Sequence, residues 1–298
     1  NPLLNTLNGV NPYHAFLEGQ KARKFLFESA LIQAKNLKIF FPILASQIQQ
    51  LENYIRANLA FTFTFHRPEW NLDFRNETIE SLDFVDIIKF AAPEENPNGR
   101  NMLLVAPMSG HFATLLRKTV ESLHNAGYTV YITDWKSPFD VDKSKWEFSV
   151  DRYTQELLHA YETVEKDGKI FDVLAICQPS PEALTATAYA EKNHLPKPRS
   201  LALMAGPIDV SASPTAVNKL SGKLSWEVLE SMKLTIPRGK NIGAGRSVYP
   251  GPLQIMSFIS AKPEEHLKNY RSLAYKKTAF SIEEEKMLSF YREYFAEN

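Results

Sequence analysis

The chain has 298 residues, of which 44% are hydrophobic and 23% charged, as in an ordinary globular protein with a large core. Its 34 lysines and arginines balance 34 aspartates and glutamates, so no net field would attract a nucleic acid. No stretch is long and apolar enough to predict a membrane span, and no signal-peptide pattern is present. The single cysteine, Cys177, cannot form an internal disulfide, which fits a reducing cytoplasm.

The first 60 residues predict an N-terminal helical segment. Apolar residues recur there at roughly helical spacing, interrupted by Pro42. Packing against the main domain is the commoner use of such a pattern, and docking on a hydrophobic surface is the alternative. Residues 61–65 then alternate strictly between phenylalanine and threonine, which predicts a strand with one buried face.

Residues 61–210 predict an α/β core. Short apolar runs alternate with amphipathic helical patterns, and this rhythm is typical of a doubly wound, mostly parallel sheet. The predicted strands include residues 84–90, 102–106, 128–133, 171–176 and 201–205. Residues 211–298 break the rhythm with several prolines and glycines, and we predict a cap, or lid, over the carboxyl ends of the strands.

Cys177 lies where the apolar run 171–176 gives way to an alanine-rich helical pattern. A nucleophile between a strand and a helix is the arrangement of the nucleophile elbow in α/β-hydrolases. The N-terminus of the helix favours a thiolate there, and the N–H of Gln178 is placed to hold an oxyanion. A lone cysteine in an apolar run is more often a small buried hydrophobe, and Ala175 and Pro179 replace the two glycines of the usual G-x-S-x-G box.

Several longer motifs resemble those of the intracellular polyhydroxyalkanoate depolymerases. Residues 105–117 read VAPMSGHFATLLR and are similar to the family's APxSGHxATLLR stretch. Residues 131–135 match its YITDW, and residues 177–179 match its CQP nucleophile motif. The run from Arg199 to Asn218 is similar to its RSLxLMxGPID…PTxVN, and the resemblance extends in order over essentially the whole chain.

This resemblance implies an α/β-hydrolase that cleaves the ester bonds of stored poly(3-hydroxyalkanoate). It implies that Cys177 is the nucleophile and that the N–H groups of Gln178 and Met108 form the oxyanion hole. The expected partner is the polymer or granule surface in the cytoplasm, and no cofactor or metal is expected. Neither the oligomeric state nor the preferred polymer side-chain length follows from the sequence.

In this family the acid and the histidine of the triad lie downstream of the cap, and we expect both beyond Asn298. Within the chain, His111 follows a strand end, where it suits either the base or the wall beside the oxyanion hole. Asp209 ends the strand next to the nucleophile strand, where it either serves as the acid or orders a turn. Trp226 and Tyr249 either line an apolar cleft or form the core of the cap.

Two other functions remain open at this stage. The related polymer synthases share the fold and the cysteine, but they transfer acyl groups from coenzyme A thioesters. A non-catalytic granule-binding protein is the second alternative, because it would need no base.

Overall fold

The computed structural model describes residues 12–40, 42–64, 67–91, 99–108, 111–145, 147–168, 170–215, 218–219, 222–236 and 241–296. These residues form two compact units. The helical unit lies within Asn1–Arg67, Ser225–Lys240 and Ala244–Glu297, and the sheet unit lies within Pro68–Leu224 and Asn241–Gly243. The division of the chain at residues 1–60, 61–210 and 211–298 stays a prediction.

The sheet unit contains a six-stranded sheet in the order β1-β2-β4-β3-β5-β6. Its strands are β1 (Asn76–Ser81), β2 (Val85–Phe90), β3 (Asn101–Val105), β4 (Thr129–Trp135), β5 (Phe171–Ile176) and β6 (Leu201–Met204). The β1–β2 and β2–β4 pairs are antiparallel, and the other three pairs are parallel. Every residue of β4 is buried, as expected of a central strand that is covered on both faces.

Helices cover both faces of this sheet. They are α3 (Arg117–Asn125), α4 (Val150–Gly168) and α5 (Ser180–Lys192). Leu157 of α4 and Ala183 of α5 pack into one buried cluster with Leu103 of β3. Val120 of α3 packs into a second cluster with Leu104, whose side chain points to the opposite face. The strand order and the two helical layers are those of the α/β-hydrolase fold, which confirms the predicted fold class.

The helical unit combines the N-terminal helices with the C-terminal ones. Its helices are α1 (Pro12–Phe40), α2 (Ala45–Ala60), α6 (Trp226–Ser231), α7 (Gly251–Ala261), α8 (Pro263–Ala274) and α9 (Ile282–Tyr294). The strands β7 (Leu234–Thr235) and β8 (Ser247–Val248) pair antiparallel in a second, two-stranded sheet. Ala57 and Ala60 of α2 share a core with Leu273 of α8 and with Leu288 and Tyr291 of α9.

The strand predicted at residues 61–65 is wrong over residues 61–64, and residue 65 lies outside the described residues. Phe61 lies in the turn that ends α2, and Thr64 makes only an isolated parallel bridge with Ala296. The phenylalanines have another use: the Phe61 ring stacks on Tyr291 with centroids 4.0 Å apart, and Phe63 packs edge-on against Phe295. The alternation of apolar residues therefore reflects an aromatic cluster between helices and not a sheet face.

Candidate active site

Cys177 lies at a sharp turn between β5 and α5. Its backbone N–H donates to the Met204 carbonyl at 2.8 Å, which extends the pairing of β5 with β6 by one residue. Its φ angle is +64°, in the left-handed region that costs a non-glycine residue about 1–3 kcal/mol. The side chain is exposed, so burial in the core does not account for a cysteine at this position.

Gly206, just after β6, lies close to the turn that follows Cys177. The N–H of Ser180 donates to the Cys177 carbonyl at 3.2 Å, and α5 begins there with Pro181 as its second residue. A Cβ atom on Gly206 would lie 2.0 Å from Ser180 Oγ and 3.2 Å from the Cys177 carbonyl oxygen. Gly206 therefore leaves space for the turn, although it is distant from the turn in the sequence. Within the turn itself, Ala175 and Pro179 occupy the positions where the usual box has glycine. This role was not predicted from the sequence, because the sequence around a glycine does not indicate which distant segment it contacts.

Gln178 and Met108 lie in contact beyond the carboxyl ends of β5 and β3. The Gln178 side-chain oxygen Oε1 accepts a hydrogen bond from the Met108 backbone N–H at 3.1 Å. The structure therefore brings together the two residues that the sequence assigned to the oxyanion hole. Their role as oxyanion donors stays a prediction.

Side chains of β4 fix the start of the loop that carries Met108. The Ala106 N–H donates to Thr133 Oγ1 at 2.9 Å, and Trp135 Nε1 donates to the Ala106 carbonyl at 2.8 Å. Ala106, Thr133 and Trp135 are buried. Both Thr133 and Trp135 belong to the YITDW motif, so part of that motif orders a loop beside the candidate nucleophile.

His111 is buried just before the 3₁₀ turn Ala113–Leu116, on the same loop as Met108. No hydrogen bond to the Cys177 thiol is formed within the part of the chain that the structure describes. Two other histidines have structural contacts: the His124 ring stacks 3.8 Å from Phe74, and His266 Nδ1 lies 3.0 Å from the Tyr291 hydroxyl. His111 therefore stays the first candidate for a base within the described chain, as a prediction.

Asp209 organises its own turn. Its Oδ1 accepts hydrogen bonds from the Ser211 hydroxyl at 2.5 Å, the Ser211 N–H at 2.9 Å and the Ala212 N–H at 3.3 Å. These bonds, led by the one from the Ser211 hydroxyl, lower the pKa of the Asp209 carboxyl. They account for an aspartate at this position, and its assignment as a triad acid or pocket residue stays a prediction.

Trp226 and Tyr249 belong to the helical unit. Trp226 begins α6, where the Ser225 side chain caps the helix by accepting from the Val228 N–H. The Tyr249 hydroxyl lies 4.0 Å from the Met232 sulfur. Both aromatic side chains are exposed, so neither is part of the unit's hydrophobic core. Their predicted place in a substrate pocket is untested.

No group of three or more His, Cys, Asp or Glu side chains among the described residues could hold a metal ion. In the same part of the chain, every helix is too short or too polar to cross a membrane.

Comparison with known proteins gives one match to a family model and several similar solved structures. Residues 205–297 match the family model described as PHB de-polymerase C-terminus. Solved structures similar to the chain include an inhibited esterase B from Lactobacillus rhamnosis, at 14% identity and a TM-score of 0.37 over 60% of this chain and 63% of that one. Another is the HSL-homolog EstE7 from a metagenome library, at 15% identity and a TM-score of 0.37 over 67% of this chain and 62% of that one. The chain spans less than two thirds of the length of these structures. No curated protein matches it.

Proposed function

We propose that the chain hydrolyses the ester bonds of stored polyhydroxyalkanoate through a Cys177 thioester, and the match of residues 205–297 to the PHB depolymerase C-terminus model supports this proposal. The proposed place of action is the surface of storage granules in the cytoplasm. One observation carries the proposal: the only thiol of the chain is exposed, in a left-handed backbone conformation, at the turn from a central strand into a helix. Strained conformations of this kind persist where the surrounding fold imposes them, and they concentrate at active sites.

The first half of the proposed reaction forms the thioester. The Cys177 sulfur attacks the ester carbonyl carbon, and the negative charge moves to the carbonyl oxygen. Collapse of this intermediate breaks the carbon–oxygen bond to the alcohol part of the polymer. The thiol proton, given up as sulfur attacks, passes to the departing alkoxide to give the alcohol, and the acyl group remains on sulfur.

The second half releases the product. A water molecule attacks the thioester carbon while a general base accepts its proton, and the carbon–sulfur bond breaks. The products are a 3-hydroxyalkanoate chain end with a free carboxyl group and the regenerated thiol. This half depends more strongly on the base, because water is a far weaker nucleophile than a thiolate.

The oxyanion of both halves would be held by the backbone N–H groups of Gln178 and Met108. The Met108 N–H is directed at the Gln178 side-chain oxygen. An incoming substrate oxygen must therefore replace that amide oxygen. The exchange favours the transition state, because an anionic oxygen accepts a stronger hydrogen bond than a neutral amide does.

The test is release of 3-hydroxybutyrate from amorphous poly(3-hydroxybutyrate) particles by the 298-residue chain, with Cys177→Ala as the control. We expect acyl transfer to Cys177 with release of the first product, which falls by at least about 10³-fold in the variant, since loss of a nucleophile removes covalent catalysis. Release that continues beyond one turnover would show that a general base lies within the chain, with His111 the first candidate. Intact mass should show an acyl adduct on the parent chain and none on Cys177→Ala.

Other outcomes would contradict the proposal. Growth of polymer from 3-hydroxybutyryl-CoA, lost in Cys177→Ala, would identify a synthase-like acyltransferase. Binding to the particles without hydrolysis or adduct, and unchanged by Cys177→Ala, would identify a non-catalytic binding protein.

A further inference from the structure

The helical unit exposes a row of large apolar side chains along α1. Phe25, Ile32 and Ile39 are spaced seven residues apart, which puts them on one side of the helix. All three are well exposed, and Ile39 is 74% accessible. Two more exposed apolar side chains follow in the 3₁₀ turn Pro42–Leu44 after α1, where Ile43 is 96% and Leu44 is 48% accessible. We call Phe25, Ile32, Ile39, Ile43 and Leu44 the apolar strip.

The opposite side of α1 packs against α2. Ala34 of α1 is buried against Ile48 and Ile55 of α2, with Phe27 and Leu31 packed around them. Lys38 Nζ lies 3.2 Å from a Glu52 carboxylate oxygen, which joins the two helices a second time. Since the strip lies on a helix pair that already has its own core, packing within the pair does not explain these apolar side chains.

The charges around the strip select among possible partners. Beside Phe25, Lys21 and Lys24 form ion pairs with Glu18 and Glu28 at 2.9 and 3.9 Å, and Arg23 lies over the Phe27 ring. No acidic residue occurs from 29 to 51, and the only basic ones there are Lys35 and Lys38. Lys38 is paired with Glu52, so this stretch leaves little positive charge to attract an anionic lipid surface, which is recognised by clusters of basic residues. It also offers no carboxylate that would have to be desolvated against an uncharged surface.

A polyester surface complements these features. Its backbone is hydrocarbon interrupted by ester groups, whose oxygens accept hydrogen bonds but cannot donate them. The exposed amides of Gln33, Asn36 and Gln47 supply donors in the same stretch. Exposed apolar patches of this kind usually mark a binding surface.

We propose that the apolar strip adsorbs the chain to the surface of solid polyester, at a site separate from Cys177. The inference rests on the proposed function for the identity of the polymer. Adsorption of this type needs no catalytic residue. It would keep the chain at a solid surface between successive cleavages.

The experiment is co-sedimentation of the full chain with amorphous poly(3-hydroxybutyrate) particles. Ile39→Ser/Ile43→Ser should weaken adsorption by about tenfold or more, because two large apolar side chains no longer leave water on binding. The matched control is Ile170→Ser/Ile282→Ser, which changes two exposed isoleucines outside the strip and should adsorb like the parent chain. Circular dichroism and thermal unfolding should be alike for all three proteins.

Further arms separate this inference from its alternatives. Cys177→Ala should sediment like the parent chain, and Ile39→Ser/Ile43→Ser should hydrolyse a soluble p-nitrophenyl ester like the parent. If the chain adsorbs through the strip but hydrolyses no ester, the proposed function fails and the adsorption site stands. Equal adsorption by the Ile39/Ile43 variant and the parent would overturn the inference. So would binding through the strip to phosphatidylglycerol vesicles with no binding to polymer, or a dimer that Ile39→Ser/Ile43→Ser dissociates.

Discussion

The Gln178 side-chain oxygen accepts a hydrogen bond from the Met108 backbone N–H at 3.1 Å. This bond connects the residue after the candidate nucleophile to the loop after β3, and β3 and β5 are parallel neighbours in the sheet. A neutral amide oxygen thus occupies the position beside Met108 that the proposed reaction assigns to an oxyanion. A negative charge placed on that oxygen should therefore interfere with the proposed oxyanion.

Gln178→Glu should lower kcat/KM by about 10²-fold or more at neutral pH. Glutamate keeps the shape and the acceptor oxygen of glutamine, but its negative charge would repel an oxyanion at the same position. Gln178→Met, of similar length and uncharged, should lose much less activity. The measurement is hydrolysis of a soluble ester as a function of pH, where the defect of Gln178→Glu should shrink as the new carboxyl becomes protonated. Equal activity of Gln178→Glu and the parent would rule out Met108 as an oxyanion donor.

The backbone at Cys177 gives a second prediction. Cys177→Gly should be more stable than Cys177→Ala by about 1 kcal/mol, because glycine adopts a positive φ without steric cost. At an ordinary helix position alanine is the more stable of the two. Urea unfolding of the two variants measures the difference, and both should lack activity. If Cys177→Ala were the more stable variant, the strain at residue 177 would be disproved.

Gly206→Ala should destabilise the sheet unit by about 1–3 kcal/mol, since the new methyl group would lie 2.0 Å from Ser180 Oγ and 2.1 Å from its Cβ. Activity should fall as well, because Ser180 begins the helix behind the nucleophile. Ser180→Gly removes both opposing atoms, so the double variant should recover part of the loss. Gly19→Ala is the matched control: no atom lies within 4 Å of its new Cβ, and it should be neutral or slightly stabilising. Independent, additive effects of Gly206→Ala and Ser180→Gly on the free energy of unfolding would contradict this contact.

Asp172, near the start of β5, should make the free energy of unfolding depend on pH. Burial raises the pKa of its carboxyl, but hydrogen bonds from Arg199 and Ser200 outweigh this, and the net pKa lies below its usual value. The Arg199 Nε–Oδ1 and Ser200 Oγ–Oδ1 distances are 3.1 and 2.7 Å. Because the folded pKa is depressed, this stabilisation is complete above the ordinary carboxyl pKa of about 4 and is lost as the pH falls through the folded pKa.

Asp172→Asn should therefore lower the free energy of unfolding by about 1–3 kcal/mol at pH 7, and the difference from the parent should decrease below about pH 4. Asp209→Asn, at an exposed turn, is the comparison and should cost less. Denaturant unfolding from pH 7 to pH 3 provides the measurement. A difference between parent and Asp172→Asn that stayed constant over this range would contradict the assigned cause.

The sequence predicted the strands of the six-stranded sheet that have apolar patterns and missed β1, which has none; the two-residue strands β7 and β8 were also not predicted. Strands β2 to β6 follow apolar runs, and β2 to β5 are largely buried. Strand β1 (Asn76–Ser81) is polar and mostly exposed, and it pairs only with β2, so no hydrophobic pattern marks it. At residues 61–65 the pattern was present but its cause was different, because rings packed between helices can also recur at every second residue.

The part of the candidate site that is formed by neighbours in the sequence was predictable. Cys177 and Gln178 are neighbours in the chain, and the change from strand to helix is visible around them. The contact of Gly206 with Ser180 and the bonds from Thr133 and Trp135 to Ala106 depend on which strands lie side by side. Alternation and motif spacing do not contain that information, because the strand order differs from the chain order.

The closeness of Gly206 to Ser180 has a consequence for redesign. Conversion of this elbow to a serine-type G-x-S-x-G pentapeptide would change residues 175–179 but would not change Gly206, its spatial neighbour just after β6. In a donor enzyme with a larger residue at the position of Gly206, the geometry of the turn depends on that residue. A transplanted pentapeptide would not include it. Residues 175–180 and 204–206 therefore form one unit of exchange, and chimaeras that split them should express as folded proteins less often than chimaeras that keep them together.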